Sequence, residues 1–128
     1  MSECYGIPCL RVEIYYHYIL KGEKIIVTPT PEQLLSLIES AEYVISDSFH
    51  MSVFSIIFHK KFGAIYSKDA FNGRIINLLE LTGLQDRNIS SDSDYSLMKE
   101  EINYCQVDKI IENKREQALE WIEKALKE

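Results

Sequence analysis

YVISDSFHMSVFSIIF, residues 43–58, changes period in its middle. Tyr43, Val44 and Ile45 read as a short buried strand. From Ser48 onward, Val53, Phe54, Ile56, Ile57 and Phe58 are too densely apolar for a one-sided strand, so the spacing predicts a helix packed on more than one side. Asp47, Ser48 and His50 sit at the seam. In a parallel α/β sheet, ligands bind at the carboxyl ends of the strands, where the next helix points its N-terminus into the crevice. The seam is such a place. The unpaired first-turn amides and the positive end of the helix dipole suit an anion, and Ser48 and His50 can add side-chain donors. The plainer alternative is that Asp47 or Ser48 only caps the helix and that His50 is a helix-start histidine without a ligand.

Outward from this seam, strand and helix patterns alternate. Upstream, IPCLRVEIYY predicts a strand over about 9–15, KGEK a turn, and IIVT at 25–28 a second short strand. TPTPEQLLSLIES then carries a helix start: Thr30 as N-cap, Pro31 at the first helical position, and Gln33 placed to complete a capping box. Leu34, Leu35, Leu37 and Ile38 give that helix one apolar face, and it should end near Ser40. Downstream, KKFGAIYS returns to strand through Phe62–Tyr66. NGRIINLLELTGL is an amphipathic helix built on Ile75, Ile76, Leu78, Leu79 and Leu81, with Gly83 as its stop. QDRNISSDSDYS reads as a surface loop, and VDKIIENKREQALEWIEKALKE as a long terminal helix at about 106–127, bent near Lys114. This order implies an α/β fold, a Rossmann-like parallel sheet with helices on both faces, in one domain spanning residues 1–128.

Composition narrows the function. At 46% hydrophobic and 27% charged over 128 residues, the chain can bury a real core. Its net charge of -6 lacks the basic footprint of a nucleic-acid or anionic-membrane binder. No apolar run approaches the roughly 18 residues of a membrane span. Cys4, Cys9 and Cys105 show no paired ligand spacing, which predicts a reduced, cytoplasmic chain. The tyrosine-rich EIYYHYIL at 13–20 reads as a half-buried strand or an edge that lost its neighbour.

Other chemistries fit less well. Asp47, Ser48 and His50 are too close in sequence to face one another as a catalytic triad, and no GxSxG elbow surrounds Ser48. His17, His50 and His59 lack metal-ligand spacing, so no metal and no cofactor is expected. Asn72, Gly73 and Arg74 begin the next helix after a strand, which would aim Arg74 at the same crevice as a contact for phosphate or carboxylate, or else leave it in a surface salt bridge. Arg87 reads as structural, paired with Asp86 or with a backbone carbonyl.

PEQLLSLIESAEYVISDSFHMSVFSIIFHKKFGAI, followed by NGRIINLLELTGLQDR, resembles the C-terminal region of the polysaccharide pyruvyl transferase family. The likeness lies in a Pro-Glu-initiated helix, an Ala-x-x-Val-x-(Ser/Thr)-Asp-Ser-Phe-His-Gly junction, and an Ile-x-x-Leu-Leu segment ending near Gly-Leu-x-x-Arg. It runs from Pro31 to Arg87. The resemblance implies a chain like one half of a GT-B-type transferase, a donor-binding domain. Such an enzyme moves a pyruvate ketal from phosphoenolpyruvate to a saccharide acceptor of a cell-surface polysaccharide precursor.

Carried onto this chain, the resemblance makes Ser48, Phe49 and His50 the substrate-binding junction, with His50 the catalytic candidate and Asn72 and Arg74 as further anion contacts. Met51 departs from the family's usual glycine, Ser48 stands where some members have arginine, and HKKF replaces Asn-Lys-Pro-Phe. A length of 128 residues suits only one of two such domains, so a missing N-terminal domain or self-association through the tyrosine-rich strand is expected. Two alternatives stay open: a nucleotide-sugar glycosyltransferase half-domain, or a non-catalytic α/β interaction module.

Overall fold

In the computed structural model, which describes residues 10–13, 24–66, 73–89, 96–97 and 99–128, strand and helix alternate and every paired strand is parallel. The chain divides into two compact units, Met1–Ser40 and Ala41–Glu128. In the first, β1 (Leu10–Glu13) pairs with β2 (Lys24–Val27), Leu10 opposite Lys24 and Glu13 opposite Val27. The predicted strands at 9–15 and 25–28 are thus found at 10–13 and 24–27. The tyrosine-rich residues 14–20 and most of the KGEK turn lie outside the described residues. Thr28, at φ 51°, ends β2.

Helix α1 (Pro31–Ser40) follows with its predicted cap. The Gln33 amide donates to Thr30 Oγ1 at 3.2 Å, and the Thr30 amide donates to Gln33 Oε1 at 2.9 Å. Two backbone donors that a helix start would leave unpaired are thereby satisfied reciprocally. Ile38 is buried, and Leu34, Leu35 and Leu37 are half-buried.

The second unit is built on β3 (Tyr43–Ser46), α2 (Phe49–Ile57), β4 (Lys61–Ala64) and α3 (Gly73–Thr82). Strands β3 and β4 pair from Tyr43 opposite Lys61 to Ser46 opposite Ala64. The Ile65 amide then extends the pairing by donating to the Ser46 carbonyl. Beyond β4, the Ile89 amide donates to the Ala64 carbonyl and Asn88 bridges Ala64 in parallel. Phe62, Gly63 and Ala64 are all buried, as befits a strand covered on both faces. Val44, Ile56, Phe62, Ile75, Leu79, Leu84, Ile89 and Val107 complete the core of this unit.

Three expectations need correction. The stretch from Gln85 is not simply a surface loop: Gln85–Arg87 form a 3₁₀ turn, and Arg87 and Ile89 are buried because the chain there runs back beside β4. Helix α4 (Tyr104–Lys127) runs unbroken through Lys114 for 24 residues, starting two positions earlier than expected. It contains neither proline nor glycine, so nothing in it forces a bend. Asn103 caps it by accepting from the Gln106 amide at 3.2 Å. Finally, the apolar residues of α2 are not all turned inward, and two serines share its buried face. Ser52, Ser55 and Ile56 are its buried residues, while Ile57 is 61% exposed. The two serines tolerate burial because each hydroxyl returns to the preceding turn, Ser52 Oγ to Ser48 O and Ser55 Oγ to Met51 O.

The start of α4 is fastened to the end of α2. The Tyr104 hydroxyl donates to the Lys60 carbonyl, its ring stacks on His59 with centroids 4.4 Å apart, and His59 Nε2 lies 3.0 Å from Asp108 Oδ1. Burial raises the Tyr104 phenol well above the ordinary range. Lys61 and Glu101 pair at 2.6 Å on the same side. From residue 111 onward every residue of α4 is exposed, Trp121 and Leu126 included.

Candidate functional site

The carboxyl end of β3 delivers the chain directly into α2. Ser46 Oγ accepts from the Ser48 amide at 3.1 Å, turning the backbone so that Ser48, at φ -94° and ψ 130°, becomes the N-cap residue. Its carbonyl accepts from the Ser52 amide and starts the helical ladder. Its hydroxyl does not cap the helix. The first-turn amides of an α-helix have no intrahelical acceptor, so the amides of Phe49, His50 and Met51 stand at the mouth of α2 without a capping side chain.

His50 is exposed, and no hydrogen bond engages either ring nitrogen among the described residues. Met51 is half-buried beside it. The His50 ring meets Phe49 edge-on, with centroids 5.5 Å apart and planes at 76°. Asp47 is exposed just before the cap, and it is Ser48, not Asp47, that takes the N-cap position.

The start of α3 comes to the same ring. Arg74, in the first turn of α3, places its guanidinium carbon 5.3 Å from the Phe49 centroid. The structure therefore brings together Ser48, Phe49, His50 and Arg74, drawn from two helix starts that follow β3 and β4. Asn72, the remaining candidate, lies outside the described residues. Two helix starts, a guanidinium, an imidazole and a hydroxyl that does not cap its helix are thus neighbours, groups of the kinds that attract anions and, at an imidazole, carry protons.

Arg87 takes no part in it. Its Nη1 donates to Leu97 O at 3.0 Å and its Nη2 to Glu100 O at 3.2 Å, with Asp86 at 3.9 Å, the structural pairing expected of it. What sequence reasoning missed is the contact between Phe49 and Arg74. The only available signal was that both open helices after neighbouring strands. Among the described residues no cluster of three or more metal-ligating side chains occurs. An open groove of about 320 Å³, lined by Gln106, Lys109, Ile110, Asn113 and Lys114, lies along the polar flank of α4 and shares no residue with the junction. No helix among the described residues is long and apolar enough to cross a membrane.

No curated protein and no solved structure matches the chain. The family model of polysaccharide pyruvyl transferase matches residues 6–69, half of the chain. The match includes β3, the Ser48–His50 junction and β4, reaches further upstream than Pro31, and stops before Arg74. With half of its length aligned, junction included, the chain belongs to the polysaccharide pyruvyl transferase family.

Proposed function

We propose that this chain is the phosphoenolpyruvate-binding part of a polysaccharide pyruvyl transferase, a Rossmann-like piece corresponding to one half of a GT-B-type enzyme and working in the cytoplasm. The observation that carries the reading is the junction itself: an exposed His50 whose ring nitrogens make no hydrogen bond among the described residues, beside a Ser48 hydroxyl that does not cap its helix. The donor phosphate would sit against the first turn of α2, Ser48 and His50. Arg74 would take a second negative group of the same molecule.

The chemistry asks for one proton to be delivered and for charge to be held. As one acceptor hydroxyl oxygen adds to C2 of the enol, C3 takes a proton, for which His50 is the candidate acid. The C2–O bond to phosphate then breaks, and the second hydroxyl oxygen closes the ketal at C2. Of the two protons lost by the acceptor, one replaces the proton given to C3 and the other leaves with phosphate. The saccharide acceptor would be bound by a further domain or by a second copy of this chain.

Titration with phosphoenolpyruvate while following the His50 ring by NMR tests the reading. The expected result is a saturable shift of the His50 ring, with donor binding, measured by calorimetry, lost in His50→Ala. A nucleoside diphosphate that protects against thermal unfolding better than phosphoenolpyruvate does would favour a glycosyltransferase half-domain instead. An unmoved His50 at millimolar donor would leave only a non-catalytic module. Self-association is expected to appear as a concentration-dependent sedimentation coefficient, and a strictly monomeric profile would remove that part.

A further inference from the structure

We infer that Phe49 is a positioning residue: its ring holds the Arg74 guanidinium at the mouth of α2 and does not itself bind the donor. The identity of the donor rests on the function proposed above, but the positioning stands on geometry alone. Phe49 is half-buried between two exposed groups. Arg74 lies over its ring at 5.3 Å, and the His50 ring meets it edge-on at 5.5 Å. One aromatic ring thus separates the two side chains that would share an anionic ligand.

The way Arg74 is held matters. Among the described residues no carboxylate pairs with it and no hydrogen bond occupies its N–H groups. A salt bridge would fix a guanidinium by consuming the donors that a phosphate or carboxylate needs. Attraction to a ring quadrupole fixes its position without consuming the N–H donors that a ligand needs. An exposed arginine without such a platform is spread over many rotamers and must be ordered at each binding event. Phe49 therefore acts on affinity through Arg74, and a side chain of similar size without a π face does not replace it.

The test has a ligand-free arm and a ligand arm. In the unliganded protein, ring current from Phe49 should shift the Arg74 Hδ and Hε resonances upfield. Phe49→Leu should abolish that shift, whereas Phe49→Trp should keep it. An unshifted Arg74 in the unsubstituted protein overturns the inference, and this measurement needs no variant to fold. With phosphoenolpyruvate as probe, Phe49→Leu and Arg74→Gln should each raise Kd by about 3- to 10-fold, Phe49→Trp should stay near the starting value, and the double variant should bind no more weakly than Arg74→Gln alone. Multiplying penalties in the double variant would mean that Phe49 touches the donor directly, which also overturns it. A protein that shows the ring-current shift but binds no phosphoenolpyruvate sinks the proposed function and leaves the positioning intact.

Discussion

Arg87 shows how much one side chain can organise. It is only 3% exposed, yet it carries a full charge, and its two terminal nitrogens donate to the carbonyls of Leu97 and Glu100 while Nε finds no hydrogen-bond partner among the described residues. A buried guanidinium is tolerable because each satisfied N–H offsets lost hydration. Arg87→Met keeps most of the volume and strands two carbonyls, so urea unfolding should show a loss of about 3 kcal/mol. Arg87→Lys should not restore it, because one ammonium lacks the planar fork that spans two acceptors. At the junction the same reasoning runs the other way. The Ser48 hydroxyl makes no capping bond, so Ser48→Ala should cost less than the about 1 kcal/mol of a used cap.

At the scale of elements, α2 and α3 end in the same motif with different residues. After α3, the Gly83 amide donates to Glu80 O and the Leu84 amide to Leu79 O, with Gly83 at φ 72°. After α2, the His59 amide donates to Ile56 O and the Lys60 amide to Ser55 O, with His59 at φ 53°. Both are Schellman closures that require a left-handed residue. A Cβ at Gly83 would meet nothing within 4 Å, so Gly83→Ala should cost only the dihedral strain, about 1 kcal/mol. His59 bears that strain and recovers it through its stack on Tyr104 and its contact with Asp108. His59→Ala should therefore destabilise by about 1–2 kcal/mol, and His59→Gly by clearly less, as chemical denaturation of the pair would show. Helix α4 is the opposite case. Trp121 is 71% exposed, so its fluorescence should be red-shifted and fully open to acrylamide, and Trp121→Ala should change stability by less than about 0.5 kcal/mol. A blue, protected emission would mean that this face is covered in solution.

For the molecule as a whole, stability should fall in alkali. The Tyr104 phenol is held protonated in the folded state by burial, against an unfolded value near 10. Below that pH both states keep the proton and nothing changes. Above it the unfolded chain ionises first, so the folded state loses ground as pH rises toward the raised folded value. Because the ring is part-exposed, the slope should be less than the full ~1.4 kcal/mol per pH unit. Denaturant midpoints between about pH 9 and 11 should slope less in Tyr104→Phe. That variant also loses the hydroxyl's donation to Lys60 O, so it starts from a lower stability.

The alternation of strand and helix, the Thr30–Gln33 capping box, the stop at Gly83 and the strand-to-helix turn at Ser48 were all legible in the sequence. Each depends on groups within about five residues of one another, where covalent geometry already brings them together. Burial was not legible to the same degree. That Ser52 and Ser55 would lie inside while Ile57 lies outside, that Arg87 would be enclosed, and that Asn88 and Ile89 would run beside β4 follow from how separate elements pack. The meeting of Arg74 with Phe49 is of the same kind, since two helix starts become neighbours only when their strands pair. Local propensity determined which elements form, whereas packing within each unit decided which faces they turn inward and which side chains surround the junction.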